Sequence, residues 1–193
     1  MFTSRLRAQG RQVAFVFVVM TLAACSSSSG SGPLDATAFG SKLKFADNEL
    51  SGWTQSTDPT DPYQYGVFTD QTLDQRIDGG NMVYIDRGMR VAMYQDLVGP
   101  SGSICTLVAM DFSTDAKANT MFTYQKDING AATSISPYDG TVAIGNSLST
   151  GLTAYAHFKA SYFEVQLDGY GADPTVAIPV ASQFLQALEK KNK

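Results

Sequence analysis

Ile104-Cys105-Thr106-Leu107-Val108-Ala109-Met110-Asp111-Phe112 is the stretch on which the fold turns. Alternate residues of a strand point to opposite faces, so Ile104, Val108, Met110 and Phe112 share one face and Cys105, Leu107 and Ala109 the other. Both faces are apolar, which marks a strand in the middle of a sheet. Cys105 is then a small buried hydrophobe, with no histidine or basic residue near it in sequence to lower its thiol pKa.

Working outward, Met89 to Leu97 reads as the preceding strand, and Val98-Gly99-Pro100-Ser101-Gly102-Ser103 as the turn-rich loop that makes a hairpin of the two. On the other side, Ser113 or Thr114 caps a helix with Asp115 in its first turn. Ala118, Met121, Phe122 and Gln125 form its inner stripe, enough to cover one sheet face. Asn129-Gly130-Ala131-Ala132 ends it, and Tyr138-Asp139-Gly140 turns into a short strand at Val142 to Ile144. Leu152 to Lys159 and Tyr162 to Asp168 form a second hairpin. In its second strand Phe163, Val165 and Leu167 alternate with Glu164, Gln166 and Asp168, the pattern of a sheet with one wet face. The last helix starts near Pro179 and places Ala181, Phe184, Leu185 and Leu188 on one stripe, with Lys190, Lys191 and Lys193 at its negative end.

Upstream, a short helix is expected around Asp35 to Leu43. Ser56-Thr57-Asp58-Pro59-Thr60-Asp61-Pro62 punctuates the chain as a solvated turn, since each proline holds the preceding aspartate extended. Two carboxylates there fall short of the six to eight oxygens that calcium takes. Between this turn and the first hairpin, Asp70 or Thr69 can cap a helix in which Leu73, Ile77, Gly80 and Tyr84 fall on one face. The competing reading ends that helix at Gly79 as a left-handed cap and starts a strand at Met82.

The run Asp70 to Gly88 resembles the hallmark of an uncharacterised family of secreted bacterial domains, whose motif is Ile-(Asp/Asn)-Gly-(Gly/Ala)-Ala-Glu-x-Tyr followed by a turn into a strand. Ile77, Asp78, Gly79, Gly80 and Tyr84 match it, and Gly88 stands at the turn. Asn81 and Met82 replace the alanine and the glutamate, removing the one acid a mechanism could have used. The resemblance spans residues 52 to 168, implies one continuous helix through the motif, and brings no activity with it. Taken in order, the elements are those of an α+β domain: a largely antiparallel sheet of about five or six strands packed by two or three helices. That order resembles the Mog1/PsbP-like sandwich.

The address lies at the other end of the sequence. Arg5, Arg7 and Arg11 precede Val13 to Leu22, an apolar run of ten residues, which has the proportions of a secretory signal and is about half the length that spans a membrane. Leu22-Ala23-Ala24-Cys25 follows, and it resembles the lipobox of bacterial lipoproteins. The resemblance implies cleavage before Cys25, a diacylglycerol on its sulfur, an acylated amino terminus (palmitate or a similar chain) and thereby a stable anchor, since two or more chains hold where one does not. Ser26, rather than an aspartate, after that cysteine favours the outer membrane. Ser26 to Gly32 is uncharged and low in complexity, a tether. The organisation expected is thus a signal over 1–24, a lipidated cysteine and tether over 25–33, and one globular domain over 34–193.

Residues 1–24 carry three arginines and no acid, so their removal leaves 11 of the 14 Lys+Arg against 18 Asp+Glu, a net of −7. Nucleic-acid binding requires a basic footprint and is disfavoured. The chain has 2 cysteines and 1 histidine. With Cys25 lipidated, no intrachain disulfide, cysteine-cluster metal site or histidine-paired metal site is expected. His157 shares a face with Tyr155 and is half-exposed or hydrogen-bonded to a neighbour. There is no Gly-x-Ser-x-Gly, no Ser-x-x-Lys with its partner motifs and no phosphate loop around Gly79-Gly80. No enzyme and no cofactor is expected, although paired glycosidase carboxylates are brought together only by the fold. Two readings follow. One is a tethered interaction or structural module of the cell envelope, with an envelope protein or the cell wall as partner. The other is a small-ligand or lipid-binding domain, its pocket lined by Met82, Met93, Met110, Met121 and tyrosines.

Overall fold

The computed structural model of the chain describes residues 34–58, 60, 64–131, 133–135, 143–147, 151–170 and 174–193. The expected leader, Cys25 and tether, Pro59, Asp61 and Pro62 of the upstream turn, and the turn at Tyr138-Asp139-Gly140 lie outside these residues. The elements are α1 (Ala36–Leu43), β1 (Thr54–Gln55), β2 (Tyr65–Thr69), α2 (Met82–Ile85), β3 (Val91–Val98), β4 (Ile104–Asp111), α3 (Asp115–Ile128), β5 (Thr133–Ile135), β6 (Ala143–Ser147), β7 (Gly151–Phe158), β8 (Ser161–Asp168) and α4 (Pro174–Asn192). Short 3-10 turns cover Leu73–Gln75 and Pro100–Gly102.

The strands form one antiparallel sheet in the order β1-β3-β4-β8-β7-β6-β5, and β2 also pairs with β3. The fold is α+β, and β4 lies between β3 and β8 as its two apolar faces require. The sheet holds more strands than the five or six expected, because β1, β2 and β5 are short segments without strong alternation. β1 and β2 share an edge of β3, pairing with Leu97 and Val98 and with residues 91–95 respectively.

One sheet face carries Met93, Leu97, Cys105, Leu107, Ala109, Phe163, Val165 and Leu167 beneath α1 and α4. Phe184 of α4 packs edge-on against Phe45 at 5.7 Å and Trp53 at 5.0 Å. Gln95 is buried on this face without penalty, because its side-chain amide exchanges two 2.8 Å hydrogen bonds with the backbone of Phe45. The opposite face carries Ala92, Tyr94, Val108, Met110, Tyr155 and Tyr162, covered by Ala118, Met121 and Phe122 of α3 and by Leu73 and the segment that follows it. Thr114 caps α3 by accepting from the Lys117 N–H at 3.3 Å, one of the two caps expected.

Three expectations need correction. The helix through Leu73, Ile77, Gly80 and Tyr84 does not form: the chain makes a 3-10 turn, breaks, and resumes only as the single turn α2. Gly79 sits at φ +71, the left-handed conformation that stops a helix. No strand begins at Met82 either, and the 3-10 turn ends at Gln75 with Arg76 as its cap, so of the competing reading only the left-handed conformation of Gly79 holds. The second correction concerns β8, whose Glu164 is buried at 5% exposure rather than wet. Finally, α4 begins at Pro174, five residues before the expected start, leaving Pro179 inside the helix.

Candidate functional site

The two hairpins align a row of residues across the sheet: Tyr94 on β3 opposite Val108 on β4, Val108 opposite Glu164 on β8, and Glu164 opposite Tyr155 on β7. The next row on the same face is Asp96, Thr106, Gln166 and Thr153. The covering layer stops between these rows. Arg76, Ile77, Asp78 and Tyr84 from the broken motif segment form a wall there, with Tyr94, Thr106, Val108, Glu164 and Gln166 as the floor, around an open cleft of about 370 Å³. That volume suits a small ligand.

Glu164 lies at the inner end of the cleft. Its Oε1 accepts from the hydroxyls of Tyr162 at 2.7 Å and Tyr84 at 3.5 Å, and its Oε2 accepts from the Gln166 amide at 3.1 Å. All three donors are neutral. Burial raises the carboxyl above its ordinary pKa, and the three hydrogen bonds only partly oppose this. The tyrosines respond in the same sense. Burial, then the charge of Glu164, raises Tyr84, Tyr94 and Tyr162, and pushes Tyr155 up to about 12. Tyr84 is fixed from the other side by the Gln125 amide of α3, which donates to its hydroxyl at 3.2 Å.

Arg76 brings a positive charge to the rim. Its guanidinium stands 5.1 Å from the centre of the Tyr94 ring and 3.7 Å from Asp96, whose carboxylate also accepts from the Thr106 hydroxyl. Its Nε is buried without a hydrogen-bond partner. Asp78 is exposed at the mouth.

Of the motif residues singled out in the sequence, Ile77, Asp78 and Tyr84 thus meet at the cleft, while Gly79 and Gly80 shape the backbone between them. Glu164, Arg76 and Tyr94 escaped sequence reasoning. The available signal was a glutamate in a strand beside Tyr162, whose partner Tyr84 lies 80 residues earlier. His157 lies elsewhere, its ring 5.2 Å from that of Phe122 and its Nδ1 3.6 Å from Asp115. Desolvation lowers its pKa, with Asp115 opposing. Cys105 is fully buried, and burial raises its thiol pKa. The methionines do not line one space: Met93 is on the α1 and α4 face, Met110 and Met121 are on the other, and Met82 is 53% exposed. Among the described residues no group of three or more His, Cys, Asp and Glu is placed to hold a metal ion, and no helix is long and apolar enough to cross a membrane.

No family model and no curated protein matches the chain. Among solved structures, it is similar to the crystal structure of the extracellular domain of PknH from Mycobacterium tuberculosis, with 13% sequence identity, a TM-score of 0.42, and coverage of 82% of this chain and 92% of that one.

Proposed function

We propose that this chain is a cell-envelope lipoprotein, anchored through lipid on Cys25, whose domain is a non-catalytic recognition module binding its partner in the cleft over Glu164. The anchor rests on the basic leader, the short apolar run and Leu22-Ala23-Ala24-Cys25. The recognition reading is carried by one observation: a carboxyl buried against Tyr162 and Tyr84 faces an open cleft walled by the motif segment. Convergent polar groups in a concave, mostly preformed site are the usual marks of a binding pocket.

Hydrogen exchange tests this reading on the full lipidated chain in detergent micelles, with and without a low-molecular-mass extract of its own envelope. Slowed exchange is expected in residues 76–85 and 162–166. No change, or a change confined to α1 and α4, refutes the cleft. Cys25→Ala is expected to abolish incorporation of an alkyne-tagged fatty acid, and incorporation retained in that variant refutes the anchor.

A further inference from the structure

Three features define what this cleft can hold. Glu164 is buried, and among the described residues its hydrogen-bond donors are two phenols and an amide, with no cation paired to it. Such a group gains from a positive ligand more than an exposed carboxylate does, because water screens it less. Next to it stand the aromatic rings of Tyr84 and Tyr94, whose faces attract cations. The guanidinium of Arg76 lies over Tyr94 and is paired with Asp96 at 3.7 Å rather than with Glu164. Last, the Tyr94 hydroxyl has no hydrogen-bond partner among the described residues, leaving an acceptor for a second N–H. Asp78 at the mouth and the net charge of −7 that remains once residues 1–24 are removed add a field that draws cations and repels anions.

We propose that the cleft binds a small diffusible amine, its primary ammonium group held against Glu164 beside Tyr84 and Tyr94 and its carbon chain leading out past Ile77 and Asp78. The proposal rests on the reading of the cleft as the recognition site. An anionic ligand would meet Glu164 and Asp78. A neutral polyol would leave the buried carboxylate as it is.

Three probes of equal length separate these cases by calorimetry on the full lipidated chain in micelles: cadaverine, pentane-1,5-diol and glutarate. Saturable binding is expected for cadaverine alone. Glu164→Gln is expected to weaken it at least about 10-fold, a change of about 1.4 kcal/mol. Tyr94→Phe, a milder change that keeps the ring, is expected to weaken it about 3-fold through the lost acceptor. A thermal melt of each variant shows that it is folded, and Tyr94→Phe serves alone if Glu164→Gln is not. Absence of saturable binding by cadaverine overturns the proposal, as does equal binding of the diol or affinity unchanged in the folded variants. Protection of the cleft by envelope extract alongside such a negative result would leave the recognition reading intact and remove only the amine.

Discussion

Glu164 is the residue where burial and chemistry conflict most sharply. Its folded-state pKa is raised, so above the ordinary value of 4.5 the unfolded chain has released a proton that the folded chain still holds. Stability from this group is therefore present in acid and lost as pH rises through the folded-state value. Tyr84, Tyr94, Tyr155 and Tyr162 surround it, Arg76 and Asp78 line the same cleft, and Asp96 is paired with Arg76. Exposed Asp58, whose pKa the Thr60 hydrogen bonds lower, titrates with the opposite sign, so the useful quantity is a difference between proteins. Glu164→Gln carries no charge at any pH. Its melting temperature relative to the parent is expected to rise as the pH is raised above 4.5, as measured by circular dichroism. A difference independent of pH would mean that Glu164 is not the buried acid described above.

At the scale of elements, glycines mark where the chain was hard to read. Gly79 at φ +71 has nothing within 4 Å of an added Cβ, so only backbone strain opposes a side chain there. Gly79→Ala is expected to cost about 1–2 kcal/mol in chemical denaturation, and Gly79→Asn less. Gly151 differs, because a Cβ would lie 1.8 Å from the Leu167 carbonyl oxygen. Gly151→Ala must push β7 off β8, and it is expected to shift the urea midpoint further than Gly79→Ala does. The hairpins of β3 with β4 and of β7 with β8 were legible because apolar residues recur at period two, and α3 and α4 because they recur at helical spacing. The motif segment was not. Leu73, Ile77 and Tyr84 have helical spacing and do face one core, but a left-handed residue between them is invisible to periodicity. β2 was missed for a related reason: Tyr-Gly-Val-Phe-Thr lacks alternation, and its strand character comes from pairing with β3. Glu164 looked wet because its neighbours alternate correctly. What buries it is a covering layer drawn from residues 73–85 and α3, which no local pattern reveals.

For the whole molecule, the core under α1 and α4 is where the early and late parts of the chain meet. Phe184 is fully buried between Phe45 and Trp53, and Phe184→Ala is expected to cost about 3–5 kcal/mol, seen as a lowered melting temperature with the fold retained. The Lys191 ammonium donates to the Lys44 carbonyl at 2.9 Å and meets Glu49 at 2.7 Å, tying the end of α4 to the residues just after α1. Phe39 and Leu43 belong to the same core as Leu185 and Leu188. This closure makes the core beneath α1 and α4 depend on contacts between distant parts of the chain. Until the final helix has been synthesised, α1 and the strands beneath it have an unfinished apolar face and cannot lock, because non-local contacts must form before the core is stable. For the lipoprotein proposed here, which would cross a membrane as an extended thread, the same delay would keep the chain threadable until α4 has followed.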